Sequence, residues 1–366
     1  MKITEINTFI LSVPLGKRSF YSSQCVFPER NSLIVQIKTD KGIVGWGEGG
    51  QYGPPEPVAA CINFVLKPLI LNEDPREPVK LWEKMYAFTR DFGQKGTYIE
   101  AISAIDIALW DIQGKSLEVP IYRLLGGAFR KGITAYATGC YYHSEDGQHF
   151  PIDIEGLKVE ALSYIKAGFN MVKIKIGLLS IEEDLRRILA IRGAIGQNIK
   201  ILIDCNHAYN SSTIISFGRV LEKYNIGWIE EPVPPEDKEG YKRVRNTLKI
   251  PIAGGECEYT RYGFRDLIIN GCVDIIQPDL SVSGGFSEFL KIHALASSFN
   301  ILLIPHVWGS GIALASALHA LAYLPPLPHT LNPILLQNEP VIEFDQSPNP
   351  LRDDLLKDRI NFIDGK

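Results

Sequence analysis

The chain has 366 residues, 45% hydrophobic and 22% charged, with a formal net charge of −4 and a sequence pI of about 6.0. That length exceeds a usual single domain of roughly 100–200 residues, and the composition is that of a globular chain rather than a disordered one. There is no basic run to suggest nucleic acid as a partner.

No apolar stretch approaches the ~18–20 residues that span a bilayer. The N-terminus, MKITEINTFILSVPL, lacks a signal-peptide pattern. A cytoplasmic protein with no membrane attachment is expected. The six cysteines, at 25, 61, 140, 205, 257 and 272, form no C-x-x-C pair. Their spacing suggests neither a disulfide framework nor a thiolate zinc site.

The first elements are strands and then helices. Ile3–Val13 and Ser32–Thr39 alternate apolar and polar residues, and Asp40-Lys41-Gly42 turns the chain into Ile43–Glu48. Pro57–Ile70, Pro78–Phe88 and Ile99–Gly114 carry helical periodicity, the last apolar nearly all round and therefore buried. An α+β domain over 1–128 follows.

From about Lys131 short apolar runs alternate with amphipathic helices. The strand candidates are 133–139, 171–177, 199–204, 226–231, 250–256, 273–279 and 301–306, with an eighth near Leu331–Leu336. Strand–helix alternation implies βαβ units and a parallel sheet. This many units predict an α/β chain: a (β/α)7β TIM-like barrel over 129–336, capped by the N-terminal domain. The mostly polar stretch 337–366 is expected to return to the cap and complete it.

Ionisable residues fall at the strand ends: Lys173 and Lys175, then Asp204, Glu230, Glu256, Asp279 and His306. Positions 204, 230 and 256 are 26 apart, about one βα unit, so the three carboxylates converge at the carboxyl end of the barrel, where active sites are built. Unpaired, they would repel one another. An all-oxygen cluster suits Mg²⁺, with Mn²⁺ as the alternative.

Lys173 and Lys175, two apart in a strand, face the interior together. A desolvated lysine beside another cation can have its pKa lowered enough to act as a base. Asp279 beside His306 makes an acid–base pair. Asn206 and His207 follow Asp204 and are candidates for substrate contact, His207 on equal terms with simple loop packing. Trp308 lines the pocket or packs at the rim. Glu231 should face away from Glu230, as a structural residue or a partner of the lysines, and Cys205 and Cys257 should point away from the site. For any single acidic strand end, a helix N-cap is the plainer reading.

In AISAIDIALWDIQGK, KIKIG, DCNHAY, WIEEP, AGGE, IIQPD, IPHVWGSG and EFDQSPNPLRDDLL, in that order, the chain resembles the enolase superfamily in its mandelate racemase subgroup. QKG, AYATG, HVWG and EFD resemble galactarolactone cycloisomerases and acid-sugar dehydratases. The resemblance implies Asp204, Glu230 and Glu256 as metal ligands, Lys175 as one base assisted by Lys173, and His306, oriented by Asp279, opposite it. It implies that Glu343 hydrogen-bonds the substrate carboxylate, either protonated or paired with a charged neighbour. It places cap residues near Arg18–Gln24 and Gly49–Tyr52, Tyr52 included, against substrate.

The implied reaction removes the proton α to a carboxylate in a sugar acid or its lactone, followed by β-elimination or isomerisation. Racemisation, epimerisation or hydroxyproline-type dehydration on the same site, and a catalytically silent barrel, are the alternatives. A zinc hydrolase or a glycosidase fits the strand-end residues less well. A homo-oligomer is implied, as is a glycine-rich continuation past Gly365, whereas this chain ends at Lys366.

Overall fold

A computed structural model describes residues 1–50 and 53–366. Tyr52, expected against substrate, lies outside the described residues. The chain begins with β1 (Ile3–Pro14), the short antiparallel pair β2 (Phe20–Tyr21) and β3 (Val26–Phe27), then β4 (Glu29–Thr39) and β5 (Val44–Gly49). β1, β4 and β5 form the expected antiparallel sheet.

The helix Thr97–Leu117 packs across β5, buried on nearly every side as its composition requires. Gly47 permits this approach: a Cβ there would stand 1.9 Å from the Ala104 carbonyl oxygen. The cap has its own apolar core, in which Ile6, Val35 and Ile37 of the sheet meet Trp82, Ile102 and Leu109 of the helices.

The barrel strands are β6 (Ala135–Gly139), β7 (Met171–Lys175), β8 (Lys200–Asp204), β9 (Ile226–Glu230), β10 (Ile252–Gly254), β11 (Ile275–Ile276), β12 (Leu302–Leu303) and β13 (Ile342–Asp345). They run parallel in the order β12-β11-β10-β9-β8-β7-β6-β13. Helices lie between successive strands from β6 to β13, as (β/α)7β requires. One interior cluster draws Tyr136, Met171, Leu202, Trp228, Ala253, Ile275, Leu302 and Val341 from around the ring. This is the filled centre of a barrel.

The eighth strand corrects an expectation. It is Ile342–Asp345, paired to β6 from Ile342↔Ala135 to Asp345↔Thr138, and not the 331–336 stretch. It lies inside the segment expected to return to the cap. Leu335 and Leu336 are apolar because they pack against the interior cluster. The following helix, Pro350–Asp353, touches β1 and β4 of the cap.

Two buried cap carboxylates dock the domains. Glu48 on β5 accepts hydrogen bonds from Ser310 N (2.7 Å), Ser310 Oγ (2.6 Å) and Ala313 N (2.8 Å), at the start of helix Gly311–Tyr323. Asp106 accepts from Ser287 N (2.9 Å) and Ser287 Oγ (2.5 Å), in the first turn of helix Gly285–Ser298. A helix N-terminus offers unpaired N–H groups to an anion. Burial nevertheless pushes Asp106 up to about 7.

Candidate active site

The parallel register sets the strand-end residues side by side. Lys175 lies opposite Asp204 on β8, which lies opposite Glu230 on β9. Carboxylate oxygens of Asp204, Glu230 and Glu256 come within 4.8 Å of one another, and all three residues are buried. Three converging oxygen donors without nitrogen or sulfur fit a hard divalent cation.

Lys173 Nζ donates to Glu230 Oε1 at 2.7 Å and stands 2.9 Å from Glu343 Oε1 and 3.6 Å from Asp204 Oδ2. Lys175 Nζ donates to Asp204 Oδ2. Trp228 Nε1 (2.9 Å) holds the other Glu230 oxygen and the Asn206 N–H (3.0 Å) that of Asp204.

On the far side, His306 Nδ1 lies 2.8 Å from Asp279 Oδ2, while Nε2 is 3.4 Å from Glu256 Oε2 and 3.7 Å from Glu343 Oε2. Asp279 also caps the helix Leu280–Ser283, its Oδ1 accepting from Ser281 N at 2.8 Å. The plain reading of a strand-end acid and the functional one thus hold together in one residue.

The charges around Lys173 and Lys175 oppose the effect of their burial. Burial works against their charge, but Glu230 and Glu343 around Lys173, and Asp204 beside Lys175, raise both. The second cation is there; the carboxylates outweigh it. Burial pushes Glu230 and Glu256 up to about 7. Glu343 goes the other way: despite burial, Lys173, His306 and Lys175 hold it down to about 2. Glu343 is therefore a charged, paired carboxylate, also accepting from Thr138 Oγ1 at 2.5 Å.

The substrate candidates fall differently. Asn206 is buried beside the triad, its Oδ1 accepting no hydrogen bond from the described residues, with its backbone at φ 41. His207 turns to Glu231, Nε2 to Oε2 3.0 Å. Glu231 therefore pairs with His207 and not with the site lysines, and Cys257 Sγ lies 3.6 Å from the same imidazole. Trp308 sits at the rim, where it joins Phe20, Phe27 and Tyr141 beneath the cap. Arg30 stacks on Trp308 (4.2 Å) and pairs with Asp345 (2.5 Å), tying cap to barrel. The Ser23 hydroxyl donates to the carbonyl of Cys205 (2.8 Å), placing the 18–24 segment over the barrel mouth.

Sequence reasoning missed Tyr141, Thr138 and Arg30. The Tyr141 ring lies 5.7 Å from Lys175 Nζ, and its hydroxyl is buried without a hydrogen bond among the described residues. A cavity of about 860 Å³ lies between Gly16–Tyr21 of the cap and barrel residues around 141–153. It borders Tyr141 but does not reach the carboxylates, whose chemistry marks the site more clearly than open volume does.

Comparison with known proteins agrees with this architecture. A family model described as mandelate racemase / muconate lactonizing enzyme, N-terminal domain, matches residues 5–126, and one described as enolase C-terminal domain-like matches 156–366. The chain is 41% identical to a D-galactarolactone cycloisomerase of Agrobacterium fabrum, over all of this chain and 93% of the relative. It is 40% identical to an arabinonate dehydratase of Saccharolobus solfataricus, over 91% and 84%. Among solved structures, the 3,6-anhydro-D-galactonate cycloisomerase from Zobellia galactanivorans matches with a TM-score of 0.87 and 41% identity, over 100% of this chain and 93% of that one.

Proposed function

The chain belongs to the mandelate racemase / muconate lactonizing enzyme family of the enolase superfamily, and from that premise we propose that it removes the proton α to the carboxylate of a sugar acid or its lactone. β-Elimination or isomerisation follows. The observation that carries this reading is the placement of Lys175 and His306 on opposite flanks of one carboxylate triad.

Members of the family bind Mg²⁺, and we assign Asp204, Glu230 and Glu256 to hold it here. Bound there, the ion would supply positive charge against the second negative charge that develops on the substrate carboxylate. Lys175 takes or returns the α-proton on one face, with Lys173 beside it. On the other face His306, its Nδ1 engaged by Asp279, presents Nε2 to reprotonate the carbon or to protonate a departing β-oxygen. Glu343, held by Lys173 and Thr138, is assigned to the substrate carboxylate; its pairing with Lys173 supports this reading. Asn206, Trp308 and Tyr52 are assigned to substrate contact, while His207 is engaged by Glu231 instead.

Two of the relatives above, each 41% identical, are cycloisomerases, so an aldarolactone or an anhydro sugar acid heads the substrate panel. We also propose that residues 1–128 act as the cap over a barrel of 129–336, that 337–366 returns to the cap after contributing β13, and that the chain works as a cytoplasmic homo-oligomer. No helix among the described residues is long and apolar enough to cross a membrane.

The test is solvent-deuterium exchange. The protein with Mg²⁺ is incubated in D₂O with aldonates, aldarates, aldarolactones and hydroxyproline-type acids, beside Lys175→Ala and His306→Asn. A one-dalton gain or a dehydrated or isomerised product, lost in a variant, is expected. No exchange and no product across the panel, with metal bound, would sink the reading.

A further inference from the structure

Beside the carboxylate triad lies a second cluster of different chemical character. His207, Glu231 and Cys257 bring an imidazole nitrogen, a carboxylate oxygen and a thiol sulfur within 4.8 Å of one another. Glu231 is 1% exposed, and His207 and Cys257 are only partly open to solvent. The three come from the junctions that follow β8, β9 and β10, just past Asp204, Glu230 and Glu256 in the chain.

The backbone is bent toward this arrangement. His207 (φ 65) and Glu231 (φ 45) both take the left-handed conformation, costly for residues with a Cβ. The His207 N–H donates to the Glu231 carbonyl at 2.8 Å, which locks the two bends together.

We propose that this cluster is a zinc site, separate from the magnesium triad, with one thiolate, one imidazole and one carboxylate as ligands and a water as the fourth. The donor set decides the metal: sulfur and imidazole favour zinc, whereas the all-oxygen triad favours magnesium. Distances agree. Tetrahedral zinc, with bonds of about 2.0 Å to nitrogen and oxygen and 2.3 Å to sulfur, sets its donors about 3.3–3.6 Å apart. His207 Nε2 already stands 3.0 Å from Glu231 Oε2 and 3.6 Å from Cys257 Sγ.

On binding, the thiol gives up its proton, and the thiolate and carboxylate charges balance the ion. The zinc would tie together three junctions and so hold the three magnesium ligands in register.

The test uses the whole chain, stripped with chelator and returned to excess Mg²⁺. Co²⁺ is then titrated as a spectroscopic stand-in. One equivalent is expected to give a thiolate-to-cobalt charge-transfer absorption in the near ultraviolet. Zn²⁺ should displace it and stay at one ion per chain through gel filtration in Mg²⁺. Cys257→Ser should abolish the absorption, Glu231→Gln should weaken zinc retention by at least about tenfold, and Asp204→Asn should leave the absorption in place. Circular dichroism checks that each variant is folded, and the wild-type spectrum decides the question if one is not. The proposal falls if the wild type gives no such absorption, if it survives Cys257→Ser, or if zinc is held only where magnesium displaces it and Asp204→Asn removes it.

Discussion

Lys175 and His306 flank the triad, and each has a different neighbour to answer for its placement. Lys175→Ala and His306→Asn should each lower kcat by about 10²–10⁴, the usual worth of a positioned proton-transfer group. In the proposed mechanism Asp279 acts through His306 Nδ1, 2.8 Å away. Asp279→Asn should therefore lower kcat with little change in KM, and the double variant Asp279→Asn/His306→Asn should be no worse than His306→Asn alone. Steady-state kinetics of the four proteins measures this. Additive losses would separate Asp279 from the imidazole.

The metal-ligand candidates were legible because a βα repeat leaves a near-constant spacing, and 204, 230 and 256 keep it. Charge state was not. The lysine pKa values depend on which oxygens face each Nζ, and Glu343, which joins from β13, has no spacing signal at all. Tyr141 and Thr138 are likewise placed by the barrel's closure and not by their local pattern.

Among the elements, the helix Thr97–Leu117 was readable as buried, and Asp106, the one of its acids that is fully buried, marks a partner across the domain boundary. The eighth strand was misread because 331–336 is the more apolar run, although it serves to plug the barrel. Val-Ile-Glu-Phe-Asp looks polar for a buried strand, yet its acids serve the site and the cap: Glu343 meets Lys173, and Asp345 meets Arg30.

Asp106 carries a pH prediction. Folded, it keeps its proton up to about pH 7; unfolded, it loses it near the ordinary 3.8. Between those values the folded state binds the extra proton, so this contribution is complete below 3.8 and is lost as pH rises toward 7. The ceiling is roughly 4 kcal/mol, or about 5 °C in Tm for a chain of this length. Asp106→Asn keeps the hydrogen-bonding shape without the titration. Tm measured from pH 4 to 8 should fall more steeply for the wild type than for the variant. Parallel curves would remove Asp106 from the docking energetics.

For the molecule as a whole, the barrel mouth is where stability and chemistry oppose each other. Asp204, Glu230, Glu256 and Glu343 are buried together, and Lys173, Lys175 and His306 supply the counter-charge. Such a cluster costs folding energy that a well-packed apolar core would not, because each charge leaves water. A divalent cation bound to the folded state offsets that cost by mass action, about 2.7 kcal/mol when its concentration is a hundred times Kd. Spread over the unfolding entropy of a chain this long, that is roughly 3–4 °C in Tm. Chelation should therefore lower Tm by a few degrees and abolish turnover, and Mg²⁺ should restore both together. Asp204→Asn should lose the magnesium-dependent rise, and the starting Tm should fall, since Lys175 and Lys173 lose a buried carboxylate partner. Differential scanning calorimetry at fixed pH, with and without Mg²⁺, tests it. If Asp204→Asn still gained the full magnesium shift, the ion would be binding elsewhere, and the triad would lose its assignment.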